Sequence, residues 1–197
     1  MIIGLCGSAR SGKDTFYEIS REILSERGIE SKRVAFADKL KEECSDLLVK
    51  NTGISPFTTC SKEKEIIRPL LVSYGTHIRR KLDENCWIDA IKKKVLDLTK
   101  KNVIVFITDV RYPNELEWVN DLSGKSVFIS RYGTADANEE ERKNNKKLNA
   151  LCDFEISWHT VGKENLKPLF PIVEETLNKI LCSTAKSYQK SKKTKTW

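Results

Sequence analysis

No apolar run in this chain approaches the length of a membrane span. Its first hydrophobic stretch is short and passes straight into Gly7, so neither a signal peptide nor a membrane anchor is expected. Paired cysteines are missing as well. Cys6, Cys44, Cys60, Cys86, Cys152 and Cys182 include no Cys-x-x-Cys pair and have no nearby histidine partner, which argues against a disulfide frame or zinc site and for free thiols in a reducing compartment. There is no internal repeat, and the guanine-reading run Asn-Lys-x-Asp of signalling GTPases is absent. Acids are absent after Cys182, where Lys186, Lys190, Lys192, Lys193 and Lys195 hold five of the seven excess positive charges. The formal charge of +7 is therefore weak evidence for nucleic acid. Ser183 to Trp197 is expected to be a disordered basic tail, either a weak nucleic-acid or targeting arm or a solvated segment with no partner.

What is present suits one domain over residues 1–182: the 197-residue chain is 39% hydrophobic and 32% charged, enough for a real core. The chain is organised around its first turn. Ile2 to Cys6 reads as a buried strand; Gly7, Ser8, Ala9, Arg10, Ser11, Gly12 and Lys13 match the first seven positions of a phosphate-binding P-loop; Asp14, Thr15 and Phe16 open a helix. Gly7 and Gly12 let backbone N–H groups form a nest, the helix start adds partial positive charge, and Lys13 carries a point charge to the terminal phosphates. The position after the lysine normally holds Ser or Thr for Mg²⁺. Here it is Asp14, with the hydroxyl displaced to Thr15; a carboxylate is also a hard oxygen ligand, so the site is altered and not disabled.

Phe16, Ile19, Ile23 and Leu24 continue the first helix to Arg27-Gly28, and Arg33 to Phe36 makes a second strand. Asp38 either caps the following helix, which runs to about Val49, or stands at a strand's carboxyl end where ligands bind. Residues 51–60 should be a loop, and Pro69 is expected to start a helix running to about Leu82 with Leu70, Leu71, Tyr74 and Ile78 inward. Arg68, Val72, Gly75 and Arg79 share another stripe, which is either an anion-binding surface or an ordinary solvated face. Trp87 to Leu98 is amphipathic. Val103 to Thr108 is the strongest buried-strand signal and closes on Asp109-Val-Arg111, where a carboxylate can emerge beside phosphates. Pro113 fits a helix start, Ser126 to Ser130 is a strand leading to Arg131, and Phe154 to Trp158 is the last strand before a C-terminal amphipathic helix. The polar stretch between Tyr132 and Asn149, acids first and bases after, is either disordered or a lid. Strands alternating with helices predict an α/β, P-loop NTPase-type, doubly wound and mainly parallel five-stranded sheet with helices on both faces. Residues 38–100 would form a helical substrate-binding insertion, and residues 131–150 a lid.

These residues resemble the deoxynucleoside monophosphate kinases of phages and large viruses over most of Met1 to Leu181. The likeness lies in Gly7 to Thr15, in Phe36-Ala-Asp-Lys-Leu-Lys41, in Arg68 to Thr76 with Arg79, in Trp87, and most specifically in Ile107-Thr-Asp-Val-Arg-Tyr-Pro-Asn-Glu115. Animal-type phosphomevalonate kinases look similar in layout, with the same Gly-Lys-Asp loop, but lack the last run. The viral lid signature His-x-Ser-Glu is replaced here by the run from Glu139 to Lys147. The resemblance implies transfer of the γ-phosphoryl group of ATP, with Mg²⁺, to a deoxynucleoside 5′-monophosphate in the cytoplasm, that of the host if the gene is viral.

On that reading Lys13 holds donor phosphates, and Asp14, Thr15 and Asp109 serve the metal, unranked. Arg68, Arg79, Arg111 and Arg131, with Arg10 in the loop, are the candidates to clamp the acceptor phosphate and the transferring group. Asp38, Tyr74, Gly75, Trp87, Asn114 and Glu115 would line the acceptor, each with a plain reading as cap or core residue. His159 is either near the adenine or merely solvated. Base preference and oligomeric state, homodimer included, are left open by the sequence. A phosphomevalonate-type acceptor, a nucleic-acid-binding P-loop protein using the basic tail, and a non-catalytic nucleotide binder, raised by Asp14 in place of Ser or Thr, are the rival readings.

Overall fold

A computed structural model of the protein describes residues 1–162 and 164–193, the side chains of 184–193 excepted. Five strands form one parallel sheet in the order β2-β3-β1-β4-β5: β1 (Ile2–Cys6), β2 (Ser31–Val34), β3 (Ile104–Val110), β4 (Lys125–Arg131) and β5 (Phe154–Trp158). The central strand β1 is buried along its whole length, which is why it reads as a continuous apolar run. Strand alternation sorts its side chains between two cores. Ile3 and Leu5 face a layer containing Phe16, Leu24, Val173 and Leu177, from α1 (Lys13–Glu26) and α8 (Phe170–Lys193). Ile2 and Cys6 face the opposite layer, with Trp87, Ile91 and Val95 of α5 (Cys86–Lys100) and Leu116 and Val119 of α6 (Pro113–Asp121). β1 pairs with β3 on one side and β4 on the other, so the chain reverses its winding at β1 and opens a crevice at the carboxyl ends of these strands. All six cysteines are free thiols, and among the described residues no helix is long and apolar enough to cross a membrane.

The remaining elements correct several local expectations. α2 (Phe36–Thr52) starts two residues before Asp38, and its cap comes from far away: the carboxylate of Asp109 accepts the N–H groups of Phe36 and Ala37, both at 2.9 Å. Asp38 instead pairs with Arg33 at 2.8 Å. α3 (Ser61–Val72) begins well before Pro69 and carries that proline inside it, followed by a π-helical segment, Ser73–Arg79, and a single turn, α4 (Arg80–Leu82). Proline supplies no N–H to its own turn, and the wider turn that follows shifts the helical phase. Leu70 and Ile78, expected inward, are consequently exposed. Gly75, expected on the arginine stripe, is buried: a Cβ there would lie 2.9 Å from Leu40 Cδ2, and its carbonyl accepts the indole N–H of Trp87 at 3.2 Å.

The polar stretch after β4 is not disordered but holds α7 (Glu139–Leu151). Asn138 caps it by accepting the Glu141 N–H at 2.8 Å, and three glutamates in the first turn complement the helix dipole. The expected disordered tail is helical as far as Lys193, since nothing after Pro171 breaks the helix and the Ser183 hydroxyl donates back to the Ile180 carbonyl. The rest of that tail, 194–197, lies outside the described residues.

Candidate functional site: the P-loop and its rim

The loop between β1 and α1 has the conformation its sequence requires. Gly7, Arg10 and Gly12 all have positive φ, at 127°, 63° and 101°. Gly12 has a further reason to lack a side chain. A Cβ there would stand 2.7 Å from Cζ2 of Trp158, whose indole N–H donates to the Ser11 carbonyl at 2.8 Å, so the end of β5 braces the loop. Lys13 is buried and folds back over the nest, donating to the carbonyls of Gly7 at 2.7 Å and Ser8 at 2.6 Å. Burial, and then the neighbouring Arg111 guanidinium, lower its pKa to about 8. In the free protein the ammonium is therefore about half discharged at pH 8 and largely neutral well above it. The second-order rate constant for the phosphate donor should fall as pH rises through that value, and in a pH profile of kcat/KM for ATP a flat line to pH 9.5 would contradict this assignment.

Around the nest, the penultimate residue of β3 is Asp109, half-buried, its pKa raised by desolvation against the pull of the two α2 amides. Asp14 is exposed on the first turn of α1, 3.5 Å from Arg33 Nε. Thr15 follows it, half-buried. Among the described residues no group of three His, Cys, Asp or Glu side chains could enclose a metal. That donor set suits Mg²⁺, which takes one or two carboxylates and completes its shell with water and substrate phosphate. Ser11 Oγ, buried inside the loop, has no hydrogen-bond partner, and a phosphate oxygen is an acceptor such a hydroxyl can use.

The arginines divide into two groups. Arg111 lies at the nest, its guanidinium 3.2 Å from Glu141 and close enough to Lys13 to disfavour its charge. Arg131, at the end of β4, donates to Thr134 at 3.2 Å, and the next residue, Tyr132, stacks on His159 with ring centroids 4.4 Å apart. Arg10 and Arg68 are exposed. Arg79 belongs to a separate wall: it pairs with Glu43 at 3.2 Å and lies over the Trp87 ring at 5.6 Å, while the Tyr74 hydroxyl donates to the same glutamate at 2.9 Å. Asn114 and Glu115 turn inward to the protein. Asn114 ties α6 to the loop before α5 through the Glu84 carbonyl and Asn85, both at 3.0 Å. Glu115 is buried, accepts the N–H groups of Arg111 at 2.7 Å and Tyr112 at 3.0 Å, and pairs with Arg80. Burial pushes its pKa up to about 7 against the pull of Arg80.

Six residues at or beside this rim escaped the sequence reading: Arg33, Arg80, Asp136, Glu141, Asn145 and Trp158. Arg33 bridges Asp14 and Asp38. The Ser8 hydroxyl donates to Asp136 at 2.6 Å, Asn145 donates to both, and the Ala9 N–H donates to Glu141 at 3.0 Å. The run of acids and then bases over residues 139–147 read as either disordered or a lid, and nothing local said that it would form a helix against the P-loop.

The sheet order, the loop and its lysine together define a P-loop protein of the kinase type. The chain belongs to the phosphomevalonate kinase family, whose family model matches residues 5–125. It is 27% identical over 173 residues to a mimivirus protein, from Acanthamoeba polyphaga mimivirus, named "Putative deoxynucleotide monophosphate kinase"; the match covers 79% of this chain and 86% of that one. It is 43% identical over 70 residues to "Uncharacterized protein ORF77" of Ictalurid herpesvirus 1, covering 35% of this chain and only 30% of the herpesvirus protein. Among solved structures, shikimate kinase from Aquifex aeolicus is 18% identical with a TM-score of 0.46, over 94% of this chain and 98% of that one.

Proposed function

We propose that the protein transfers the γ-phosphoryl group of ATP to the phosphate of a deoxynucleoside 5′-monophosphate, giving the diphosphate and ADP. The observation that carries this reading is the crowding of cations at one point. Arg111 is held close enough to buried Lys13 to oppose the charge on its ammonium, an arrangement that a bound polyanion would relieve. The viral relative's name supports the choice of acceptor.

The chemistry asks for little beyond positioning. An acceptor monophosphate is largely dianionic near neutral pH, so no strong base is required; two anions must be brought into line with water shut out. Lys13 and the nest amides would bind the donor phosphates, and Asp14, Thr15 and Asp109 would hold Mg²⁺ directly or through water. Mg²⁺, when bound, supplies charge neutralisation of the donor phosphates. Arg111 and Arg131, with Arg68 and Arg79, would clamp the acceptor phosphate and the group in transfer. Tyr74, Arg79 and Trp87, with buried Gly75 behind them, would form the wall that reads sugar or base, with Asp38 at its edge. Asn114 and Glu115 would act at one remove, by fixing the backbone that aims Arg111. Arg111→Lys keeps the charge and loses the guanidinium fork, so kcat/KM for the acceptor should fall by about tenfold or more with the ATP dependence less affected.

The family match favours one specific alternative, phosphomevalonate as acceptor. An ADP-release assay with ATP and Mg²⁺ separates the two. Turnover is expected with at least one of the four common deoxynucleoside monophosphates and not with phosphomevalonate; the reverse result would transfer the assignment to the isoprenoid substrate.

A further inference from the structure

We infer that Glu141 is an internal stand-in for a donor phosphate, so that donor binding at the P-loop is an exchange with α7 and not a simple addition. The inference rests on reading the P-loop as the donor site, and adds to it an order of events. One carboxylate oxygen of Glu141 accepts the Ala9 N–H, an amide of the loop, at 3.0 Å and takes Arg111 Nη1 at 3.2 Å. The other accepts the Ala137 N–H at 2.6 Å. These donors, a loop amide and an adjacent guanidinium, are of the kind a phosphate oxygen would use. The side chain is only 10% exposed, so it is seated in the site and not lying over it.

A second contact fixes the same segment. Asp136 accepts the Ser8 hydroxyl at 2.6 Å, and Asn145 donates to that aspartate at 2.6 Å and to Ser8 Oγ at 3.0 Å. Two turns of chain, residues 136–145, thus bring two carboxylates against a loop built to bind anions. Neither makes a direct contact with Lys13, whose ammonium is occupied by loop carbonyls. A triphosphate entering the nest must displace Glu141 from the Ala9 amide, because two anions at one donor in a poorly hydrated site repel each other. The displacement also frees Arg111, the guanidinium proposed to meet the acceptor. Donor binding would then both unlatch α7 and arm the acceptor side, which favours a donor-first order.

The test uses inorganic tripolyphosphate without Mg²⁺, titrated calorimetrically into the full chain and into Glu141→Gln. Removing the competing charge while keeping the side chain's size should tighten the dissociation constant by about tenfold, the scale of one charge-assisted hydrogen bond. Should Glu141→Gln fold poorly by circular dichroism, Glu141→Asp, which draws the carboxylate back from Ala9, replaces it and should shift the constant in the same direction by less. A variant that binds no tighter than a wild type that does bind overturns the latch and leaves the donor site standing. If neither protein binds tripolyphosphate, the donor-site reading falls and the latch falls with it.

Discussion

Replacing Lys13 by Met should lower the phosphoryl-transfer rate by roughly 10³-fold and leave the fold in place. The expectation follows from where the ammonium sits. It is buried in the loop and donates to the carbonyls of Gly7 and Ser8, so it is already aimed into the nest before any donor arrives. Its pKa, depressed to about 8 by burial and by Arg111, means that the charge is disfavoured in the free protein. A donor polyphosphate would restore that charge at the place where the transferring group carries its own, and methionine fills the space without supplying it. Circular dichroism should report an intact sheet, because the nest is braced independently by Trp158 on Ser11. A loss of less than about tenfold in single-turnover rate would remove Lys13 from the chemistry.

The second large effect is on folding. Gly7→Ala should destabilise the protein by at least about 3 kcal/mol, read as a shift of the urea midpoint. Two costs add. The residue has φ of 127°, which side chains rarely adopt, and a Cβ would run into the backbone carbonyl of Ile129 in β4. That carbonyl belongs to a strand held between β1 and β5, where Ile129 pairs with Ile156, so it has no freedom to swing aside. The glycine is thus required by the packing of the loop against the sheet. If Gly7→Ala melted within about 1 kcal/mol of wild type, the loop would not be locked against β4 as the structure indicates.

What the sequence disclosed, and what it concealed, follows from the range of the interactions involved. β1 and β3 were legible because strands covered on both faces must be apolar at nearly every position, and the P-loop because its glycines and lysine are set by local backbone demands. Asp38, left open as either a cap or a ligand residue, is not the cap for the opposite reason: the group that caps α2 is Asp109, more than seventy residues away in the chain, and no local pattern reveals it. Pro69 resembled a helix start because proline is favoured there, yet α3 and the π-helical segment carry the chain through it. The same limit applies to Glu141 and Asp136. The polar run that holds them read as either disordered or a lid, and their contacts with Ala9 and Ser8 cross about 130 residues of chain. Glu115 shows a third case, since the resemblance offered it as an acceptor-lining residue with a plain reading as cap or core, and the structure buries it against two backbone amides and Arg80.

The central claim is that donor and acceptor phosphates meet over one rim, formed by the P-loop, Arg111 and Arg131. Its most direct test is the affinity of a bisubstrate in which adenosine and a deoxynucleoside are joined 5′ to 5′ through five phosphates. Binding about 100-fold tighter than ATP is predicted, because the second half binds at high effective concentration, with most of that gain lost in Arg111→Lys and nearly all binding lost in Lys13→Met. An affinity equal to that of ATP alone, unchanged by Arg111→Lys, would place the acceptor elsewhere and contradict the account.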